Sequence, residues 1–524
     1  MRPILLQRLP LVIILALFVA FRYPYLFYPY YWDESWPYAT AVASMYKNGI
    51  SLLPGSIDPE LSRGHPLFFH AAAATWGHIF GMSKISMHSF ALTISLLFMV
   101  TIYEAGLRLF NIRVAMLGLL LICTQVVFVV QSTFLLLEMM VAFLAFISMY
   151  SYVRGKYTQT GIYLTMLFLT KESGLIMGFV LGIDALWQLR TVNKNNFREH
   201  LPRLLAIAIP CLAVAGFFLL QLLINGWLIF PLYSGLIEHR WDHFWYLFSK
   251  GAVECTFISG YRGWTYIAAL ILSVAAAIRS KKYALATIAL PIALVYFMSG
   301  KQGPHDFTGS LLHFIGLLSG TALAVHIFTL PWLFADKQQQ LLIRLSIAFM
   351  FCFTIFSATN FFSYRYLMAA MIPGLFVAVV VIDRMASLTQ PKLVYLAATL
   401  LLAINGYAYA TDTDYGDADP GAFNAMKLQQ RAIDYLESRK QFNTPIASGS
   451  FLTRVHLTDP TTGFLHGPDT FTHVKYDITD STRFIVMDNI EPDGRYPTIK
   501  ASPYLKLAFR DTLNGLWTEV YERK

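Results

Sequence analysis

The sequence predicts a polytopic α-helical membrane protein of about thirteen transmembrane helices, followed by a small C-terminal α/β domain outside the bilayer. Three observations predict this. Of the 524 residues, 56% are hydrophobic and only 14% charged. With a mean hydropathy of +0.52, the chain is too apolar for a soluble enzyme. The turns between apolar segments are short and basic on alternate sides, and the composition turns polar at Thr411 and stays so to Lys524.

The first apolar segment, Leu9 to Phe21, follows Arg2 and Arg8 and lacks a small-residue cleavage site, so it reads as an uncleaved first span. Aromatic residues crowd from Tyr23 to Trp36, as where a helix leaves hydrocarbon for the interface. Further spans fall near 86–106, 114–131, 133–152, 160–170, 173–189, 203–224, 263–279, 283–299, 309–331, 343–360, 366–383 and 393–410. With the N-terminus inside, the cytoplasmic turns carry Arg108/Arg113, Arg154/Lys156, Arg190/Lys194/Arg198/Arg203, Arg279/Lys281/Lys282, Lys337/Arg344 and Arg384/Lys392. That pattern satisfies the positive-inside rule. It also accounts for much of the +9 net charge. The cations form no basic face, which excludes nucleic acid as a partner. Four scattered cysteines give no disulfide frame.

Residues 1–410 therefore form the membrane unit, with long outer loops at 28–85 and 225–262, and 411–524 form the outer domain. The first loop holds Asp33-Glu34, a short interfacial helix over 39–46, Arg63-Gly64-His65-Pro66 and an apolar run over 67–80. In the tail, Asp419-Pro420 starts a helix, 445–451 and 483–490 read as strands, and a hairpin turns at Asn514-Gly515.

This topology brings Asp33, Glu34, Arg63, His65, Glu138, Lys171, Glu172 and Arg365 to the outer membrane surface. Glu138 lies just inside an apolar span, where a lone carboxylate costs about 2.5–3.5 kcal/mol, so it needs a polar cavity and a partner. Arg63, Lys171 and Arg365 are cations at the same depth. Carboxylates and cations together suit an anionic lipid headgroup meeting a polar acceptor: the cations hold a phosphate and a carboxylate orients or deprotonates a nucleophile. Each group also has a plainer reading. Asp33-Glu34 could be a solvated pair, Glu138 an interhelical salt bridge, Lys171-Glu172 a loop, and Arg365 an anchor among aromatics. His239 and His243 share a helical face with Asp242 between them, but no third ligand at recognisable spacing makes them a metal site. There is no phosphate-binding Gly-rich loop and no nucleophile elbow.

An ordered set of segments resembles the C-type (GT-C) membrane glycosyltransferases, in the branch of the protein O-mannosyltransferases and the lipid A aminoarabinose transferase. The segments are Trp32-Asp33-Glu34, Ser62-Arg63-Gly64-His65-Pro66-Leu67 running on to Phe80-Gly81, Glu138 at the head of a span, Leu169-Thr170-Lys171-Glu172, and Tyr364-Arg365-Tyr366-Leu367 with Pro373. Three positions depart from the pattern: His65 where Pro is usual, Glu138 for Asp, and His88 for Arg.

The resemblance implies a sugar donor on a polyprenyl phosphate and an outer-side acceptor that is a lipid, glycan or protein. Asp33, Glu34 and Glu138 would be catalytic, and Arg63, Lys171 and Arg365 would bind the donor phosphate. His65, Glu172, Tyr364 and Tyr366 would be substrate contacts. A single displacement would invert the anomeric centre, in a bacterial inner membrane with the site facing the periplasm. A divalent metal, Mg or Mn, is left open. The competing reading is a transporter or flippase of lipid-linked sugars. Transporters place polar groups near the midplane and often carry inverted repeats, neither of which the sequence displays.

Overall fold

A computed structural model describes residues 2–190, 197–237, 240–279, 333–359 and 363–524. The expected spans at 283–299 and 309–331, the turn cations Lys194, Lys281 and Lys282, and His239 lie outside the described residues.

Six helices among the described residues are long and apolar enough to cross a membrane: Gln7–Phe27, Lys84–Leu109, His200–Asn225, Lys337–Ala358, Tyr364–Thr389 and Leu393–Thr411. Shorter apolar helices, Ile112–Cys123, Leu137–Val153 and Gly263–Ala276, pack among them. Within the helix Met368–Thr389, residues 368–382 are apolar on every side, so this stretch must be buried all round. It is the central post, packed against Gly263–Arg279, Lys337–Ala358, Ile112–Cys123 and Leu137–Val153. Gly374 permits the closest of these approaches, since a Cβ there would sit 2.4 Å from the Met350 sulfur and 2.8 Å from the Tyr266 hydroxyl.

Two expected spans are broken, each for a visible reason. The stretch expected over 114–131 divides into helices Ile112–Cys123 and Val126–Gln131. At the break, Thr124 Oγ1 donates to the Leu120 carbonyl at 2.7 Å, while Gln125 and Asn405 donate to the Leu121 carbonyl at 3.2 and 3.3 Å. Polar side chains thus replace the helical bonds that hydrocarbon cannot supply. The next span begins only at Leu137, because 132–136 is non-helical and the freed Leu135 N–H donates to Glu34 at 2.6 Å.

In the first outer loop, the interfacial helix is Thr40–Asn48 and the apolar run is the helix Phe68–Phe80. Between them Arg63 and Gly64 are both left-handed, with φ of 49° and 73°. Gly64 is required twice over, since a Cβ would also lie 2.9 Å from Phe230 Cβ.

The tail forms a five-stranded sheet in the order β2-β1-β3-β5-β4. The strands are β1 (Ile446–Ser448), β2 (Val474–Lys475), β3 (Phe484–Asp488), β4 (Leu505–Leu513) and β5 (Leu516–Arg523). β1 runs parallel to both β2 and β3, and β5 antiparallel to β3 and β4. The Asn514-Gly515 turn joins β4 to β5 with both residues at positive φ, 49° and 82°. The first expected strand is shorter than 445–451, because Ser450 caps a helix, Phe451–Thr458, by accepting the Thr453 N–H at 3.0 Å.

The tail is seated on the membrane unit. Its first long helix, Ala422–Ser438, starts in the same apolar core as the membrane helices. The Phe423 ring lies 4.4 Å from that of Tyr25 and 5.5 Å from that of Phe134.

Candidate active site

The chain leaves the first helix and forms a single 3-10 turn, Trp32–Glu34. Neighbouring side chains on so tight a turn point apart, and the acidic pair is split. Glu34 turns inward and is fully buried. Its Oε1 faces His88 Nε2 at 2.9 Å and accepts the Leu135 N–H at 2.6 Å, and its Oε2 accepts the Tyr31 N–H at 3.2 Å. His88 Nδ1 lies 3.1 Å from the Leu26 carbonyl. Both ring nitrogens thus face oxygen atoms. Glu34 and His88 tie three separated segments together rather than facing the cleft.

Asp33 turns the other way, into a cluster built from five regions. Its carboxylate lies 3.6 Å from Arg63 and pairs with Arg365. Arg365, which is 1% exposed, is the hub. Besides Asp33 it meets Glu138, Nε to Oε2 at 3.6 Å, and Asp417 of the tail. Lys171 Nζ binds Glu138 Oε1 at 3.2 Å and sits 3.9 Å above the Tyr366 ring. Arg63 stacks over Trp36 at 5.4 Å. The left-handed turn at 63–64 aims Arg63 here, and the break between helices Tyr157–Phe168 and Leu175–Leu189 presents Lys171.

Burial opposes ionisation of Asp33, but the guanidinium groups of Arg365 and Arg63 outweigh it and hold the carboxyl below its usual range. Glu172 is likewise depressed: burial pushes it up, and the neighbouring His65, whose Nδ1 lies 2.9 Å away, more than reverses that. Each carboxylate of the central cluster faces a guanidinium or ammonium group.

Beside the cluster opens a small cleft of about 70 Å³. His65, Glu138, Lys171, Glu172, Tyr233 and Tyr366 line its polar part, and Val141, Phe353 and Phe356 its apolar part. Asp33, Arg63 and Arg365 stand behind this lining: Arg365 reaches it through its ion pair to Glu138, and Asp33 links Arg365 to Arg63.

The expected residues thus fall into three groups. Asp33, Arg63, Glu138, Lys171 and Arg365 meet directly, while His65, Glu172 and Tyr366 edge the same cleft. Glu34 and Tyr364 face elsewhere: Tyr364 takes a 2.7 Å hydrogen bond from Arg262, itself buried at 1% exposure. His243 stacks on Tyr246. Asp434, Glu437 and His466 of the tail bring ligand atoms within 4.8 Å of one another, on the surface of that domain.

Sequence reasoning missed one member of the cluster, Asp417, and one buried cation outside it, Arg262. Arg262 carried the same signal as Arg365, a lone cation among aromatics at the end of a span. Asp417 carried none, being one of four acids in the short stretch 412–419.

Neither a protein-family description nor a curated relative matches the chain. Among solved structures, the chain is similar to the crystal structure of ArnT from Cupriavidus metallidurans in the apo state. That match has 16% identity and a TM-score of 0.39 over 96% of this chain and 97% of that one. It is similar also to ArnT from the same organism bound to undecaprenyl phosphate, at 15% identity and a TM-score of 0.40 over 96% and 97% of the two chains.

Proposed function

We propose that this protein is a membrane glycosyltransferase, which moves a sugar from a polyprenyl-phosphate donor to an acceptor at the outer face and inverts the anomeric centre. One observation carries the reading. Asp33, Glu138, Arg63, Lys171 and Arg365, drawn from four regions of the chain, meet in one charged cluster against a half-apolar cleft. A transporter needs its polar groups along a path through the midplane; this cluster sits at one end of its helices.

The chemistry follows from the groups present. The apolar walls at Val141, Phe353 and Phe356 suit the first isoprene units, and the cations beyond them suit the phosphate. As the bond between the anomeric carbon and the phosphate oxygen breaks, its electron pair goes to the phosphate, and Lys171, Arg365 and Arg63 offset the growing charge. The acceptor oxygen attacks from the opposite face. A carboxylate held below its usual pKa is a weak base, so Asp33 orients the acceptor and takes its proton late, once the new bond makes that proton acidic.

The test is transfer from polyprenyl-phosphate sugars by the purified protein in lipid nanodiscs. Asp33→Asn and Glu138→Gln are each expected to lose about 10²–10⁴-fold in rate. Full activity in Asp33→Asn would remove its role, and no transfer by the wild type with any donor would remove the enzyme.

A further inference from the structure

In the free protein Arg365 holds Asp33, Glu138 and also Asp417, a residue of the extracytoplasmic domain. Resting on the glycosyltransferase reading above, we propose that Asp417 is a gate on the phosphate site: it occupies Arg365 in place of the donor phosphate, and leaves with the turn that carries it when the donor binds.

Charge balance is the first argument. The cluster contains three cations, Arg63, Lys171 and Arg365, and three carboxylates, Asp33, Glu138 and Asp417. A phosphodiester entering a buried cluster that is already neutral would bring an uncompensated negative charge, and desolvated charge of that kind is expensive. One carboxylate must yield. Asp33 and Glu138 are fixed by two cations each, whereas among the described residues Asp417 pairs with Arg365 alone.

Placement is the second argument. Asp417 lies on the irregular turn between the helices Leu393–Thr411 and Ala422–Ser438. That turn is docked on the membrane unit by hydrogen bonds that include Gln131 Nε2 to the Asp417 carbonyl at 2.6 Å and the Tyr31 hydroxyl to the Tyr415 carbonyl at 2.7 Å, so Asp417 sits where the tail meets the cluster.

The third argument is that the resting cluster is incompletely bonded. Arg365 Nε and Glu138 Oε2 are buried and face each other at 3.6 Å, yet neither makes a hydrogen bond to the protein. A hub whose hydrogen bonds are unfilled at rest is arranged for a different set of partners.

The gate also bears on release. Transfer turns a phosphodiester into a phosphomonoester, which carries more negative charge and binds the cations harder. The return of Asp417 to Arg365 competes with that product and lets it leave. A site blocked in nine-tenths of free molecules binds about tenfold more weakly than the open one.

The experiment measures binding of a polyprenyl monophosphate to the full chain in nanodiscs. Asp417→Asn is expected to bind about tenfold more tightly than wild type, and Asp417→Glu to bind like wild type. A purely structural Asp417 would instead give weaker binding and a lower melting temperature in Asp417→Asn. Equal or weaker binding by Asp417→Asn overturns the gate. As a readout that needs no variant, hydrogen exchange of residues 412–421 in the wild type is expected to speed up on binding, and unchanged or slower exchange overturns the proposal. Absence of any binding by the wild type overturns the function reading itself, a result distinct from the other two.

Discussion

At the scale of single residues, the site is a problem of charge held out of water. Arg365 can serve three carboxylates because its guanidinium is a planar fork with five donors, whereas an ammonium is a single point charge. Arg365→Lys therefore keeps the charge and loses the arrangement, and kcat/KM for transfer is expected to fall at least 10²-fold. Arg365→Met leaves carboxylates buried without their partner, at a cost of about 3–5 kcal/mol, visible as a lowered melting temperature. The depressed Asp33 sets a pH expectation. A carboxyl whose folded pKa lies below its ordinary value of about 3.9 stays ionised above that value and is protonated only as the pH falls further. The rate of transfer is expected to show no Asp33 titration between about pH 5 and 8. An acidic limb near pH 6 that disappears in Asp33→Asn would contradict the assignment.

At the scale of elements, the site depends on how helices end. Glu34 holds a non-helical stretch in place by taking the Leu135 N–H, and His88 completes the strut between the first loop and the helix Lys84–Leu109. Glu34→Ala is expected to cost about 3–5 kcal/mol of stability, because it strands buried polar partners. The isosteric Glu34→Gln is expected to keep more of both stability and turnover. If Glu34→Gln retained the wild-type melting temperature while losing all transfer, Glu34 would be catalytic after all. The turn at Arg63-Gly64 is a second control point. Gly64→Ala forces a side chain into a left-handed residue, at about 1–2 kcal/mol, and into Phe230 Cβ. It would re-aim Arg63, so KM for the donor is expected to rise more than kcat falls.

At the scale of the whole molecule, the tail and the membrane unit fold as one structure. Phe423 is an apolar plug, and His456 is one of the polar contacts, buried against Phe464 at 3.9 Å with Nε2 3.3 Å from Ser35 Oγ. Burial drives the His456 pKa down to about 3. Its unfolded value is about 6.5, so below that pH the unfolded chain takes up the proton first. Stability from this residue is then lost at about 1.4 kcal/mol per pH unit as the pH falls. Asp488, pushed up to about 6 by burial, has the opposite sign, since the folded form keeps its proton more strongly. The difference between wild type and His456→Phe isolates the histidine. Melting at pH 7.5 and 5.5 is expected to show a larger acid-induced drop in the wild type, and equal drops in the two proteins would refute it.

From the sequence alone the mostly helical, apolar character was legible, and six helices among the described residues are long and apolar enough to cross a membrane, because hydropathy acts locally along the chain. Glu138 was legible on residue grounds, since an ionisable group in an apolar span is costly wherever the chain then folds. Asp33, Lys171 and Arg365 lie outside the expected spans, and their roles came from the resemblance. Only the tertiary structure decided which charges share a partner. It split Asp33 from Glu34, because a single 3-10 turn sends adjacent side chains opposite ways. It broke two spans where Gln125, Asn405 and Glu34 satisfied backbone groups that periodicity counts as helical. It chose Asp417 from four acids, because pairing inside a low-dielectric core depends on where a folded domain docks, and no local pattern encodes that.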